Sequence, residues 1–297
     1  MQPIELITWG ELPAVRLHQA DGAQATLTLY GAHLVSWQSA DGVEQLFCSA
    51  QSARDGSKAI RGGVPIIFPQ FAARGQGLRH GFARLSHWRI GQQAASNDAS
   101  CWLQMVLEAS DISAAHAAQW PHAFRLEFRV DLTANDLTMQ LRIHNCGNTA
   151  FNFSTALHSY WKLDQLVACQ IAGLEHQAYS DHLSDDAPAG QDEHPLTDLN
   201  DKIDRIYRGV KLGAGQGLQP LQLQEGARCL QMTQQGFHDV VVWNPGAADT
   251  ATLNDLDNSE YQHFICIEAA NVDIQTLAPG SSLEASQTIR TLKLTSL

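Results

Sequence analysis

The chain has 297 residues, 44% of them hydrophobic and 17% charged, and a formal net charge of −12. That composition is ordinary for a folded soluble protein, and the length is enough to bury a large core. It excludes a membrane span, because no run of about 18 apolar residues occurs, and it disfavours a nucleic-acid binder, which would carry a broad basic surface.

The N-terminal "MQPIELITWGELPAV" lacks a basic segment followed by an apolar one, so no signal peptide is expected. Short alternating runs then follow one another. "ATLTLYGAHLVSWQ" alternates and turns at Gly31, and "CWLQMVLEAS" continues the pattern. "DISAAHAAQW" reads as one short helix. In "FRLEFRVDL", Phe124, Leu126, Phe128 and Val130 share one face while Arg125, Glu127, Arg129 and Asp131 share the other. That is a half-buried antiparallel strand. "TAND" turns it into "LTMQLRIHN", a hairpin. The polar, acidic "SDHLSDDAPAGQDEHPLT" reads as an exposed loop, and "CLQMTQQGFHDVVVWN" returns to the strand pattern. The expectation is one all-β domain over residues 1–297, a large antiparallel β-sandwich with few short helices. Six cysteines are scattered without a C-x-x-C pair. They are expected to be reduced, mostly buried thiols in the cytoplasm.

The positive charge is unevenly placed. From Arg54 to Arg89 there are seven bases and one acid, Asp55, a local charge of +6. The remaining 12 bases and 30 acids sum to −18. A compact basic patch on an acidic body points to a small anion. Within it, "RGGVPIIFPQF" has glycines that allow close backbone approach and prolines that fix turns. The other reading of this stretch is a structural turn with solvated arginines.

Four further positions carry possible chemistry. His158 in "TALHSYW" is a core imidazole or a general acid or base, since its ordinary pKa is near 6.5. Glu268 in "FICIEAANV" shares a strand face with Phe264 and Cys266. It is a strand-end carboxylate in water or a buried base with a raised pKa. Asp204 in "KIDRIYRGV" forms an exposed pair with Arg205 or faces a ligand. His80 in "RHGFAR" is a turn residue or a ligand contact. His80, His158 and Glu268 lack the short spacings of common metal sites, and no G-x-S-x-G elbow is present.

In order, "LTLYGAHLVSW", "IRGGVPIIFPQF", "HGFAR", "WPHAFRLEFRV", "TALHSYW", "DRIY", "VVWNP" and "FICIEAANV" resemble the aldose 1-epimerase superfamily, and within it the glucose-6-phosphate 1-epimerase branch. The resemblance spans nearly the whole chain and implies a galactose-mutarotase-like β-sandwich. It implies that His158 is the general acid and Glu268 the general base. Arg61 and Arg84 become phosphate or substrate contacts, and His80 and Asp204 partners of sugar hydroxyls. Arg79 stands where relatives often have Gln and would add a cation. The segment after "VVWNP" departs from the family, since it holds no base. The implied reaction interconverts the α and β anomers of a hexose 6-phosphate. The partner is then a small sugar phosphate, no metal, nucleotide or redox cofactor is required, and the protein is a monomer or weak homo-oligomer. Alternatives are epimerisation of free sugars, a glycoside hydrolase using Asp204 and Glu268, and a non-catalytic sugar-phosphate binder.

Overall fold

The computed structural model describes residues 4–75, 77–96, 100–183, 189–215 and 217–294. Its strands form three antiparallel sheets. The first, of four strands, runs in sequence order through Ile4–Trp9, Leu12–His18, Gln24–Thr28 and His33–Gln38. The second, of eight, is ordered Ala189–Gln191, Ala178–Asp181, Ile203–Tyr207, Asp239–Asn244, Phe264–Leu277, Phe151–Leu157 and Ile66–Ile67, with Tyr160–Lys162 also on Phe264–Leu277. The third, also of eight, is ordered Cys169–Ala172, Leu221–Glu225, Arg228–Gln235, Ser282–Lys293, Asp136–Asn145, Phe124–Leu132, Ser100–Glu108 and Arg89–Ser96.

The protein is an all-β sandwich, and side-chain alternation explains how it closes. Phe124, Leu126, Phe128 and Val130 of the third sheet enter one large apolar cluster. Ile265, Ile267 and Ala269 of the second sheet enter it from their side, and Leu17, Leu27, Leu34 and Trp37 from the first. With a period of two, each such strand commits alternate residues to this cluster and leaves the others for a second face. The "TAND" hairpin forms as expected, pairing Leu132 with Leu137. The short helix is Ala114–Gln119, capped by the Ser113 hydroxyl accepting from the His116 N–H.

Three expectations need correction. The acidic stretch from Ser180 is not wholly a loop: Ala178–Asp181 pairs with Ala189–Gln191, so its flanks form a ribbon, while residues 184–188 lie outside the described residues. "CLQMTQQGFHDVVVWN" is two strands in different sheets. The chain crosses between them at Gly236, whose positive φ of 72° and contact with the Glu284 carbonyl leave no room for a side chain. The basic patch is also not one surface. Arg54 lies over the Trp9 ring at 4.4 Å, and Arg89 pairs with Glu108 and Asp111, both away from the cavity described below. Among the described residues no helix is long and apolar enough to cross a membrane.

Candidate active site

The other face of the second sheet forms the site. On strand Phe264–Leu277, the residues opposite to Ile265, Ile267 and Ala269 are Phe264, Cys266, Glu268, Ala270 and Val272. Phe264 and Cys266 pack with Phe47 and Tyr160, and Ala270 and Val272 with Ile67, Phe71 and Val241. Glu268 sits between these two apolar groups and is only 1% exposed. It is therefore a mid-strand buried carboxylate, not a strand-end residue in water.

Strand register sets its partner. Leu157 faces Ala269 and Tyr160 faces Cys266 on the same neighbouring strand, so the count between them places His158 opposite Glu268. The regular ladder pauses there. The Ser159 N–H donates to the Leu157 carbonyl, and the His158 N–H donates to the Pro65 carbonyl on the other side. His158 is buried just past the strand end, and its Nε2 lies 3.3 Å from Glu268 Oε1. Directly opposed cross-strand residues have the side-chain separation such a contact needs. His158 Nδ1, Glu268 Oε2 and the Ser159 hydroxyl are buried without a protein partner.

Around this pair lies a cavity of about 540 Å³ that collects every site residue expected from the sequence: Arg61, Arg79, His80, Arg84, His158, Asp204 and Glu268. His80 has a positive φ of 64°, and Gly81, at 67°, follows it. A side chain at Gly81 would strike the Phe68 carbonyl, so the tight turn that aims His80 inward depends on glycine. His80 Nδ1 accepts from the Ala72 N–H at 3.3 Å, which leaves the proton of the neutral ring on Nε2. The His80 and His158 rings meet edge to face, with centroids 5.5 Å apart. Asp204 is not paired with Arg205, which turns away to Asp192 at 2.9 Å and Asp181 at 3.6 Å. Among the described residues the Asp204 carboxylate has no hydrogen-bond or ion-pair partner.

The two arginines differ. Arg61 Nε donates to Asp255 Oδ1 at 3.2 Å, its Nη2 lies 3.2 Å from Asp255 Oδ2, and its Nη1 donates to the Tyr160 hydroxyl at 3.1 Å. Arg84 makes one bond, from Nη2 to the Arg79 carbonyl at 3.0 Å, and its buried Nε has no partner. Among the described residues no carboxylate pairs with Arg84. A guanidinium held partly away from water without a counter-ion carries a desolvation cost. Arg61 is seated by its neighbours: a Cβ at Gly62 would overlap the Phe47 carbonyl and one at Gly63 the Leu34 carbonyl. His33 Nε2 meets the Gly62 carbonyl at 2.7 Å.

Burial governs the ionisation. It pushes His158 down to about 3, helped by the charges of Arg84, Arg61 and Arg79, and holds His80 at about 2. It raises Glu268 well above the usual carboxylate range, with Asp204 adding to the effect, and raises Asp204 too. Desolvation lowers Arg84, whereas Tyr160 and Asp255 raise Arg61. Both directions favour the proton on Glu268 over His158, whereas the resemblance implies a protonated histidine.

Reading the sequence missed Tyr160, Trp243 and Asp255. Tyr160 stacks on His158 at 5.0 Å and 12°, and Trp243 meets the same ring edge-on at 5.8 Å. Tyr160 was accessible as the residue two beyond His158, on the same strand face. Asp255 belongs to the segment noted for lacking a base; that segment contributes an acid, which holds Arg61, and Asp249, which holds Lys202 at 2.9 Å.

Residues 13–290 match the aldose 1-epimerase family. The chain belongs to that family. Among its relatives is a protein of Cenchrus ciliaris named "putative glucose-6-phosphate 1-epimerase", 30% identical over 277 residues, covering 91% of this chain and 82% of that one. A protein of Escherichia coli (strain K12) with the same name is 30% identical over 279 residues, covering 91% and 87%. A solved structure from Salmonella typhimurium described as a "putative mutarotase" superposes with a TM-score of 0.83 at 27% identity, covering 99% of this chain and 95% of that one. The galactose 1-epimerase of Lactobacillus acidophilus NCFM shares the fold, at 14% identity and a TM-score of 0.71 over 98% of this chain and 99% of that one. This aldose 1-epimerase family member thus has a mutarotase fold and a family whose substrates are small sugars.

Proposed function

We propose that the protein interconverts the α and β anomers of a hexose 6-phosphate, with glucose 6-phosphate the favoured substrate. The observation that carries the reading is Arg84: a largely buried cation without a carboxylate partner among the described residues, lining the same cavity as the His158–Glu268 contact. A phosphate monoester, with close to two negative charges, matches it. The remaining N–H groups of Arg61 add a second fork, and Arg79 a third cation at the exposed rim. The two relatives named for a glucose-6-phosphate epimerase support the same choice.

The reaction needs one proton on the His158–Glu268 pair at its start and at its end. Glu268 takes the proton of the C1 hydroxyl as C1 becomes a carbonyl. The C1–O5 bond breaks, its electron pair goes to O5, and His158 supplies the proton there. After rotation about C1–C2, the steps reverse from the other face of the aldehyde. Each proton transfer contributes roughly 10²–10⁴-fold. His80 Nε2–H and the Asp204 carboxylate stand on the cavity wall as donor and acceptor for ring hydroxyls. The apolar flanks from Trp243 and Tyr160 exclude water from the pair.

The test follows anomer exchange by NMR or polarimetry from fresh α-glucose 6-phosphate and, separately, α-glucose. A higher kcat/KM for the phosphate ester is expected. Equal values or a preference for glucose would reject the phosphate assignment and leave an epimerase of free sugars.

A further inference from the structure

The arginines and the acid–base pair are joined by one side chain, and the phosphate reading above does not use it. Tyr160 places its hydroxyl 3.1 Å from Arg61 Nη1 and lays its ring flat on the His158 imidazole, 5.0 Å between centroids. His158 thus has several groups beside it that bear on its proton. Glu268 faces it from the neighbouring strand and His80 from the turn, while Arg61, Arg84 and Arg79 line the same wall. Asp204 lies across the cavity, closer in effect to Glu268.

These three cations oppose a proton on His158. Among the described residues, Asp255 balances Arg61, and no carboxylate pairs with Arg84 or Arg79. A dianion settling on Arg61 and Arg84 would cancel the local positive charge where the surroundings are least polar, so its effect on a neighbouring imidazole is large. It would also reorganise the Arg61–Tyr160 hydrogen bond, and with it the ring that covers His158.

Resting on the phosphate reading, we propose that Tyr160 is a positioning residue through which an anion held by Arg61 and Arg84 moves the shared proton from Glu268 to His158. The phosphate then does more than anchor the sugar. It converts a neutral His158–Glu268 pair into the imidazolium and carboxylate that ring opening consumes. A single proton passes from Glu268 to His158 and the pair's total does not change. An unphosphorylated sugar meets the resting pair and pays for this transfer itself.

The test divides the substrate into two pieces, using the full chain. α-D-Xylose has the pyranose ring and anomeric centre but no C6, and phosphite supplies a dianion of the right chemistry. Phosphite is expected to raise kcat/KM for xylose mutarotation by about tenfold or more, the effect of one unit in the protonation equilibrium of His158. Tyr160→Phe, which keeps the stacked ring, should cut this activation to about threefold or less. Phosphite should still inhibit glucose 6-phosphate turnover by that variant within about threefold of its wild-type potency. The His158 ring signal in NMR should titrate at higher pH with phosphite in the wild type, and move less in Tyr160→Phe. If glucose 6-phosphate is preferred over glucose but phosphite neither activates xylose nor moves the His158 titration, the phosphate only anchors and the proposal fails. Equal activation in Tyr160→Phe removes Tyr160 from it. No preference for glucose 6-phosphate over glucose would be the separate failure of the phosphate reading.

Discussion

The two eight-stranded sheets each turn one face to the shared core, and they differ in what they do with the other. On the outer sheet the charges are matched. Arg125 pairs with Glu108 and Glu127, each at 2.7 Å, Arg129 with Asp131, Arg142 with Glu284, and Arg290 with Asp136 at 2.6 Å. On the second sheet, among the described residues, polar atoms of the same types are left unmatched: Glu268 Oε2 and, on the adjoining turn, Arg84 Nε. The outer ladder lies in water, where such pairs contribute little and cost little. Glu268 is fully buried and the Arg84 Nε is shielded from water, and there an unsatisfied polar group costs far more. A fold keeps such a cost when a ligand removes it, so the difference between the faces marks the site more clearly than residue type does.

The comparison breaks most visibly at the acid–base pair. His158→Asn and Glu268→Gln are each expected to lower kcat by at least ~10²-fold with the fold retained, measured by anomer exchange and circular dichroism. Near wild-type turnover in either variant removes that residue from the chemistry. Next come the cations. Arg84→Ala and Arg61→Ala should each weaken glucose 6-phosphate binding by about 10- to 150-fold, as for a charge-assisted hydrogen bond, with a smaller loss in Arg79→Gln at the rim. Equal damage to glucose and glucose 6-phosphate turnover would make the cluster structural.

The pH dependence sharpens the contrast at an intermediate scale. His158 is held down to about 3 and Glu268 well above its ordinary value, so the free pair keeps one proton across the whole interval between them. For unphosphorylated sugar, kcat/KM should therefore fall at both ends of that interval, on the acid side as His158 gains a proton and on the alkaline side as pH rises through the raised Glu268 value. For glucose 6-phosphate a limb should appear as pH drops below about 6, where the phosphate dianion takes up a proton and becomes a monoanion. Identical profiles for both substrates would contradict this.

Stability shows the smallest effects, and in opposite directions. Because the folded pKa of Glu268 is raised, the stability it permits is full at acid pH and is lost as pH rises toward the raised value. Glu268→Gln should thus raise the melting temperature at pH 8 by about 2–4 °C, near 1 kcal/mol for a chain of this size, and by less at pH 4. On the outer sheet, Arg129→Ala loses an ion pair with Asp131 and a contact over the Trp102 ring at 3.9 Å. It should cost about 1 kcal/mol or less and leave KM unchanged. A melting temperature lowered by Glu268→Gln would refute the burial argument.

Much of this was legible in the sequence because it is local. Alternation in "FRLEFRVDL" gave both the strand and its inward face, and "TAND" gave the hairpin. The family resemblance gathered seven site residues, all of which line one cavity. What stayed hidden depends on distant pairing. Asp255 reaches Arg61 across the fold, and no pattern around either residue announces it. The direction of the pair's ionisation stayed hidden for a related reason. The ordinary pKa values of His and Glu favour an ion pair, and only the burial of both residues beside three arginines reverses it. Arg54 and Arg89 were counted in the basic patch because charge was summed along the chain, whereas the fold sends them elsewhere.

The placement of His158 opposite Glu268 has a consequence for how this protein tolerates change. Glu268 lies mid-strand and His158 in the two-residue gap between Phe151–Leu157 and Tyr160–Lys162, so their meeting is decided by the alignment of segments far apart in the chain. Inserting or deleting one residue between Leu157 and Tyr160 would turn either the imidazole or the flanking aromatics into the core. Variation in length must therefore gather at the sheet's free edges and rim loops, while this short segment admits substitutions only. Surveyed across random insertions, catalysis would behave as a ruler for this one alignment.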